Sequence, residues 1–324
     1  MNEDFKVGLP SEGKPWDVII VGSGPAAFSA AIYTTRGDAP TLILGGENWG
    51  GQLMLTTKVD NYAGFPEGVD GPELMDRMRK QAERFGAKFE HSFVTKVDFS
   101  SKPFKLFTGE KEYLAKSVLI ATGAETKWLG VSGEKELIGR GVSSCAPCDA
   151  PFFKNRKVAV IGGGDSAMEE AMVLSKYASE VTVIHRRDAF KASATMQAKV
   201  LNNPKIKVIW NTEVQEVKGL PAGGQGTGKV EGLVLKNSQT GQTSDFQVDG
   251  VFVAIGHRPE SHIFEGQIEL DEKGFVKISG GHGKTSVPGV FVAGDVMDPH
   301  YKQAITSAGS GCAAALDMLS YLAG

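Results

Sequence analysis

The chain has 324 residues, of which 41% are hydrophobic and 23% are charged, and its formal net charge at pH 7 is −3. This length and balance predict a globular protein with two domains of ordinary size. They exclude a nucleic-acid binder, whose surface usually carries a basic stripe, and a membrane protein, which needs a run of roughly 18 apolar residues.

The first fifteen residues are polar and contain Pro10 and Pro15. They lack the apolar segment of a secretory signal peptide. We therefore expect a loose N-terminal tail over residues 1–15 and a cytoplasmic protein.

A short β-branched run, 17–21, leads into the glycine-rich turn 22–27, a helical stretch 28–36 and a second apolar run 41–44. This order of strand, turn, helix and strand is the dinucleotide-binding pattern. Within the turn, Gly22 permits the tight bend. Gly24 lets the backbone approach a pyrophosphate at the helix N-terminus, where free N–H groups and the dipole favour an anion. Ala27 keeps the helix close to the strand.

The same pattern recurs later in the chain, which indicates an internal duplication. Its segments are the run 157–161, the turn 162–167, the helical stretch 168–176 and the run 180–184. Each unit also closes with a similar strand and turn, at 118–123 and 251–256. The duplication predicts two bound nucleotides. The alternative is a pair of ordinary doubly wound turns in which glycine serves packing alone.

The last strand of the second pattern runs into His185, Arg186 and Arg187, and Lys191 follows four residues after Arg187. Guanidinium groups at this point suit a 2′-phosphate, because they form bidentate charge-assisted hydrogen bonds. We therefore expect the second unit to bind NADPH. The alternative is a solvated basic helix start.

The first pattern has no acidic residue at the corresponding strand tip, and Glu47 lies slightly beyond it. Ribose binding there falls to Glu47 or to backbone groups. A distant apolar strand ends in Gly294 and Asp295, which resembles the second FAD signature of nucleotide-binding flavoproteins. Together with the first turn, this signature favours FAD in the first unit. The alternative for Asp295 is a helix N-cap.

Cys145 and Cys148 are separated by two residues and precede the second turn. Such a pair in a reducing compartment is redox-active or metal-binding. A helical turn beginning at Cys148 and preset by Pro147 would stabilise a thiolate, and Asp149 could carry a proton. A zinc half-site needs further ligands, and the six histidines lack ligand spacing, so we expect no metal. Buried structural thiols remain an alternative, and Cys312 is expected to be a packed core thiol.

Taken in order, the chain carries a dinucleotide turn with Pro-Ala-Ala, the element 50–53, a Cys-x-x-Cys-Asp pair, Gly-Gly-Gly-Asp-Ser-Ala, His-Arg-Arg-Asp and the segment 303–309. Over residues 16–322 it therefore resembles the low-molecular-weight thioredoxin reductases of the bacterial or archaeal type.

The resemblance implies an α/β fold with two Rossmann-like nucleotide-binding domains. The NADPH domain, 127–256, carries the dithiol and is inserted into the FAD domain, 16–126 and 257–324. The resemblance also implies a homodimer in which the two domains alternate between two orientations. Chain crossings near Lys127 and Gly256 would provide the hinge.

The resemblance further implies roles for single residues. NADPH would reduce FAD, Cys148 would face the flavin, Cys145 would attack the disulfide of the partner, thioredoxin, and Asp149 would be the acid–base group. The implied FAD contacts are Gly22, Gly24, Pro25, Ala26, Ala27, Glu47, Gly51, Gln52, Asn61, Ala121, Thr122, Gly123, Gly294, Asp295, Gln303, Ala304 and Ile305. The implied NADPH contacts are Gly162, Gly164, Asp165, Ser166, Ala167, His185, Arg186, Arg187 and Lys191.

Two positions depart from the family's commoner pattern. Pro147 stands where threonine is usual, which leaves the redox potential and the partner preference open. Lys191 stands where arginine is frequent, and since lysine lacks the bidentate fork, a relaxed preference for NADPH over NADH is expected.

Other functions share part of this pattern. The flavin subunit of an alkyl hydroperoxide reductase system carries an extra N-terminal module, whereas only a short tail precedes Asp17. A ferredoxin–NADP reductase relative or a flavin oxidase has no need of the cysteine pair. Reduction of another dithiol carrier, such as a glutaredoxin-like or peroxidase-system protein, stays open. A non-catalytic flavin or NADPH sensor also stays open, and it would consume NADPH slowly or not at all.

Overall fold

The computed structural model describes residues 7–11, 13–56, 58–219 and 228–324. Part of the expected tail, residues 1–6 and 12, lies outside the described residues. Val7 differs from the expectation of a loose tail, because its side chain is buried and its N–H donates to the carbonyl of Phe85 at 3.2 Å. In these ranges no helix has the length and apolar content needed to cross a membrane.

The described residues form β-strands, α-helices and short 3₁₀ helices. The strands are β1 Trp16–Val21, β2 Thr41–Leu44, β3 Lys58–Val59, β4 Val69–Asp70, β5 Lys88–Glu90, β6 Lys96–Asp98, β7 Phe104–Thr108, β8 Lys111–Ile120, β9 Ala124–Thr126, β10 Val142–Ser143, β11 Lys157–Ile161, β12 Glu180–Ile184, β13 Ile206–Ile209, β14 Thr212–Gly219, β15 Val230–Asn237, β16 Thr243–Phe246, β17 Gly250–Val253, β18 His257–Pro259 and β19 Val290–Val292. The α-helices are α1 Pro25–Arg36, α2 Gly71–Arg84, α3 Ala146–Asp149, α4 Asp165–Leu174, α5 Ala194–Leu201 and α6 Ala304–Ala323. Short 3₁₀ helices cover Gly51–Leu55, Lys135–Leu137, Ala150–Phe153 and His262–Phe264.

The chain divides into two compact units. The first unit takes the chain up to Glu125 and again from Arg258, and the second unit takes Thr126–His257. The strands at the two crossings, β9 and β18, pair with each other.

The first unit is built on a sheet in the order β5-β2-β1-β8-β7-β6, with β19 also paired to β8. Strands β5, β2, β1, β8 and β19 pair in parallel, whereas β7 pairs antiparallel with both β8 and β6. Along β1, Val18 and Ile20 enter one hydrophobic core while Ile19 and Val21 enter the other. Both faces of the sheet are therefore covered, which explains why β1 is a continuous apolar run.

Helices α1 and α6 pack closely in the first unit, and small residues make this approach possible. Gly311 of α6 lies over the backbone of α1, since a Cβ added there would be 2.1 Å from the carbonyl oxygen of Ala26. The N–H of Gly294, just after β19, donates to the Ser310 hydroxyl at 2.9 Å. Helix α6 is thus fixed both to α1 and to the segment that follows β19.

The second unit contains a parallel sheet in the order β10-β17-β11-β12-β13 and a separate antiparallel sheet, β14-β15-β16. Along β11, Val158 and Val160 enter one core, and Ala159 and Ile161 enter the other. The parallel sheets of both units confirm the α/β class expected from the sequence.

Alanine substitutions at two glycines of α6 test how closely α1 and α6 approach. Alanine favours helix by about 1 kcal/mol over glycine, yet Gly311→Ala should destabilise the protein by about 1–3 kcal/mol, because its methyl group meets the Ala26 carbonyl. The matched control is Gly309→Ala, where a Cβ has nothing within 4 Å and where a neutral or stabilising effect is expected. Urea unfolding of both variants measures the difference. Equal effects at the two positions would contradict the close approach.

Candidate active site

The first glycine-rich turn lies at the carboxyl edge of the parallel strands of the first unit. The N–H of Gly22 donates to the Leu44 carbonyl at 3.0 Å, and the N–H of Ala121 donates to the Val21 carbonyl at 2.8 Å. A Cβ at Gly22, where φ is 113°, would be 2.2 Å from the Ala121 oxygen. No side chain fits there, so the backbone can turn sharply from β1 into α1.

The turn of the second unit repeats these contacts. The N–H of Gly162 donates to the Ile184 carbonyl at 3.2 Å, and the N–H of Ala254 donates to the Ile161 carbonyl at 2.9 Å. A Cβ at Gly162 would be 2.4 Å from the Ala254 oxygen. The duplication inferred from the sequence therefore extends to individual hydrogen bonds.

Both turns end in a helix N-terminus that suits an anion. Gly24 and Gly164 are the N-cap residues of α1 and α4, both are extended, and neither helix has a side-chain cap there. A Cβ at either glycine would have nothing within 4 Å. Uncapped N–H groups beside open space fit the pyrophosphate of a dinucleotide, so the residues present suit the FAD and the NADPH that the sequence implies.

The remaining turn residues follow the same logic. Pro25 is the first residue of α1, and Ala26 and Ala27 behind it are buried. Asp165 and Ser166 open α4 with exposed side chains.

A loop after β2 is tied to the first turn by a residue that the sequence did not single out. The buried Ser23 hydroxyl donates to the Gly45 carbonyl at 2.8 Å and accepts the N–H of Gly50 at 3.1 Å. It thus closes the loop 45–50 on itself. Glu47 is exposed on this loop and lines a cavity of about 450 Å³. The other lining residues are Gly45, Gly46, Asn48, His91, Ser92, Phe93 and Thr108.

Asp295 lies beyond β19, where the strand and α6 meet. Its carboxylate accepts the Ser307 hydroxyl at 2.7 Å. Burial raises the pKa of Asp295, and the bond from Ser307 opposes that rise. The N–H of Ala293 donates to the Ile120 carbonyl at 2.9 Å, so this segment adjoins the strand that ends at Ala121. Gly294, whose φ is 78°, lies between Ala293 and Asp295 in the chain.

Several other expected flavin contacts are brought together in the first unit. The Asn61 amide donates to the Gln303 side chain at 3.2 Å, although the two residues are far apart in the chain. Gln303 caps α6, which begins at Ala304 and leaves Ile305 exposed. The loop after β8 is fixed as well. The Thr122 hydroxyl donates to the Glu260 carbonyl, and the Glu260 N–H donates to the Gly123 carbonyl.

Gly51 and Gln52 open a 3₁₀ helix, and both are exposed. Gly51 has a φ of 65°, which is the left-handed region that glycine tolerates best.

The basic cluster of the second unit divides into exposed and buried members. Arg186, Arg187 and Lys191 are exposed, as a phosphate contact requires. His185 is only 7% exposed, its Nε2 is 3.1 Å from the Ala189 carbonyl, and its ring occupies the space beside Gly163. His185 therefore supports the basic loop from inside.

The basic loop is also tied to the glycine turn of its unit. The Gly163 carbonyl accepts the N–H of Lys191 at 2.7 Å and that of Ala192 at 3.1 Å. The Asp165 carboxylate accepts both the N–H and the hydroxyl of Ser193, at 2.9 and 2.8 Å. The turn and the cationic loop are therefore held as one rigid element.

Cys145 and Cys148 form a disulfide, with their Cα atoms 5.3 Å apart. Cys145 is the N-cap of the one-turn helix α3, and Pro147 is the second residue of that helix. The turn thus begins earlier than the sequence suggested, because Cys148 lies within it. The carbonyl of Cys145 accepts the N–H groups of Cys148 and Asp149, both at 3.1 Å.

Two residues that sequence reasoning missed hold this turn. The Ser143 hydroxyl accepts the N–H of Cys145 at 3.0 Å. The Glu170 carboxylate, on α4, accepts the N–H of Ala146 at 2.7 Å. Burial raises the pKa of Asp149, and the bond from Ser143 lowers it in part. Burial thus favours the protonated form of Asp149, which adjoins Cys148 in the chain.

Comparisons with known proteins agree with this geometry. The family model described as pyridine nucleotide-disulphide oxidoreductase matches residues 16–311. Thioredoxin reductase 1, mitochondrial, from Arabidopsis thaliana is 55% identical over 94% of this chain and 83% of its own length. Thioredoxin reductase from Mycolicibacterium smegmatis is 48% identical over 95% and 96%. The solved structure of thioredoxin reductase from Giardia duodenalis has a TM-score of 0.89 and 38% identity, covering 96% of this chain and 100% of that one.

The buried His185 makes the stability of the second unit depend on pH. Burial lowers the pKa of His185, and Arg187, Arg186 and Lys191 lower it further. In the unfolded chain the His185 ring binds a proton at about pH 6.5, whereas in the folded chain it binds one only at lower pH. Stability should therefore fall as pH drops below that value. His185→Gln should make the free energy of unfolding depend less steeply on pH between about pH 7.5 and pH 5. An unchanged slope would show that His185 is not responsible, and His262→Gln, in the other unit, is the control.

Proposed function

The chain belongs to the pyridine nucleotide-disulphide oxidoreductase family, and we propose that it reduces the disulfide of thioredoxin with electrons from NADPH. The observation that carries this proposal is the Cys145–Cys148 disulfide, which shares a unit with one of two dinucleotide turns. A chain with two such turns would bind a hydride donor and an electron carrier in addition to carrying its dithiol. Relatives named thioredoxin reductase align over nearly the whole chain, which supports thioredoxin as the substrate.

FAD and NADPH are the cofactors of the enzyme. When bound, NADPH supplies a hydride and FAD relays its two electrons toward the disulfide. We assign FAD to the first unit, where the α1 N-terminus would face its pyrophosphate and Asp295 its ribityl part. We assign NADPH to the second unit, where Arg186, Arg187 and Lys191 would contact the 2′-phosphate. The proposed FAD domain is accordingly 16–126 and 257–324, and the proposed NADPH domain is 127–256.

The thiol chemistry follows from the residues of the α3 turn. In the reduced chain, the Cys145 sulfur attacks the thioredoxin disulfide, so that a mixed disulfide forms and one thioredoxin thiolate leaves. Asp149 gives that thiolate a proton. The Cys148 sulfur then attacks Cys145, which releases the second thioredoxin thiol and restores the Cys145–Cys148 disulfide.

We also propose a homodimer, as the family resemblance implies. The cytoplasm is the proposed location, because a redox dithiol of this kind works in a reducing compartment. The mitochondrial relative from Arabidopsis makes the mitochondrion the alternative.

NADPH oxidation by the FAD-loaded protein, with and without oxidised thioredoxin, tests the function. Rapid turnover should require thioredoxin and should be lost in Cys148→Ser, because the variant cannot close the disulfide. Cys312→Ser, which alters the cysteine outside the pair, is the matched control and should retain activity. Equal NADPH consumption without thioredoxin, or in Cys148→Ser, would identify an oxidase and remove the role of the pair.

The nucleotide assignment is tested by Arg187→Ala. Losing one charge-assisted phosphate contact costs about 1.5–3 kcal/mol, so the KM for NADPH should rise about 10- to 100-fold. The KM for NADH, which lacks the 2′-phosphate, should change little. Arg156→Ala is the control, since this exposed arginine of the same unit pairs with Asp249 instead. A parallel rise for both nucleotides in Arg187→Ala would overturn the assignment.

A further inference from the structure

We propose that Trp49 and Arg79 are positioning residues for FAD, because together they hold the loop 45–50 in the shape that receives the adenosine half of the cofactor. This inference rests on the proposed function, which assigns FAD to the first unit. The described residues that line the cavity beside Glu47 include neither Trp49 nor Arg79. Both side chains therefore act through the loop.

Hydrogen bonds fix the two ends of the loop 45–50. The N–H of Gly45 donates to the Glu90 carbonyl at 3.1 Å, and the N–H of Gly50 donates to the Ser23 hydroxyl, also at 3.1 Å. These bonds set where the loop begins and ends. The shape of the segment between the ends then depends on how its side chains pack.

Trp49 packs the loop against the hydrophobic core of the first unit. It is half-buried, whereas Glu47 and Asn48 beside it are exposed. Its ring lies 6.2 Å from that of Phe28 on α1 and 6.0 Å from that of Phe89 on β5, measured between centroids, and both pairs are edge-to-face. Aromatic rings prefer this arrangement. Trp49 thus attaches the loop to the helix that follows the first glycine-rich turn.

Arg79 of α2 adds a cation to the same rings. Its guanidinium carbon lies 4.8 Å from the centroid of Trp49 and 4.0 Å from that of Phe89, which is within the range of a cation–π interaction. Its Nε donates to the Glu83 carboxylate at 2.9 Å, and this bond orients the guanidinium. The Arg79 side chain is only 22% exposed, and cation–π attraction strengthens when the cation loses water.

Phe89 connects this aromatic group to the wall of the cavity. A Cβ at Gly45 would be 2.3 Å from the Phe89 ring. The His91 ring, which lines the cavity, lies 5.0 Å from the Phe89 ring between centroids. A loop that is ordered in advance binds its ligand more tightly, because the cost of ordering it no longer opposes binding. Releasing Trp49 or Arg79 should therefore weaken FAD binding.

The dissociation of FAD from the full-length holoenzyme tests this inference, measured as free flavin after serial dilution and ultrafiltration. Arg79→Gln should raise the Kd for FAD about 3- to 30-fold, the range of a partly desolvated cation–π contact. Trp49→Ala should also raise the Kd, and Trp49→Phe, which keeps a ring, should raise it less. In the double variant with Trp49→Ala and Arg79→Gln, the rise should be smaller than the product of the single rises, because both changes remove one shared contact.

Arg84→Gln is the matched control for Arg79→Gln. Arg84 lies on the same helix, and its guanidinium carbon is 4.7 Å from the centroid of Phe85, a ring outside the loop and its aromatic contacts. The Kd for FAD should be unchanged in this variant. Thermal unfolding identifies any variant that fails to fold, and if Trp49→Ala does so, Arg79→Gln decides.

Two further measurements separate positioning from a general loosening of the protein. The absorption maxima of bound flavin should stay in place, because the expected isoalloxazine contacts lie at 303–305, on a different segment. The Kd for NADPH should also stay unchanged, because NADPH is assigned to the second unit. A general loosening would move the flavin spectrum together with the Kd for FAD.

The outcomes distinguish this inference from the proposed function. Thioredoxin reduction by the wild-type protein tests the function and does not enter the FAD measurement. An unchanged Kd for FAD in Arg79→Gln, an equal rise in Arg84→Gln, or a flavin spectrum that shifts with the Kd overturns the positioning role. A rise in the Kd for NADPH in place of that for FAD overturns both the positioning role and the nucleotide assignment.

Discussion

The structure depends on one steric constraint that occurs twice. Gly22 and Gly162 each face the carbonyl oxygen of the alanine that follows a neighbouring strand, Ala121 or Ala254, and a Cβ would lie 2.2 and 2.4 Å from it. Only glycine allows the strand to stop there and the helix to start at once with its N–H groups uncapped. The uncapped helix starts at Gly24 and Gly164 follow from the sharpness of these turns.

The two turns differ at their middle residue, and that difference specialises them. In the first unit the residue is Ser23, whose hydroxyl closes the loop carrying Glu47. In the second unit it is Gly163, and the space a side chain would occupy is filled by the His185 ring. One position thus shapes the loop that carries Glu47 in one unit and a cationic loop in the other. A duplicated scaffold can in this way distinguish two nucleotides that share a pyrophosphate.

Much of this architecture could be predicted from the sequence, because motif spacing encodes local geometry. The two turns, the parallel sheets and the cysteine pair all follow from residues close together in the chain. Ser143 and Glu170 could not be found in this way. Their contacts with the cysteine turn depend on β10 pairing with β17 and on α4 packing nearby, which are tertiary events. The burial of His185 was missed for the same reason, since a basic run indicates charge but not which member turns inward.

The short span of the disulfide has a thermodynamic consequence. Cys145 and Cys148 are three residues apart, so the bond closes a very small loop. By loop-closure entropy such a bond stabilises the fold by about 2 kcal/mol, against about 4.7 kcal/mol for a loop of 100 residues. Opening it removes little of the constraint on the unfolded chain. Each passage between the oxidised and reduced states therefore shifts the folding free energy by about 2 kcal/mol, less than half of the shift that a disulfide closing a loop of 100 residues would cause.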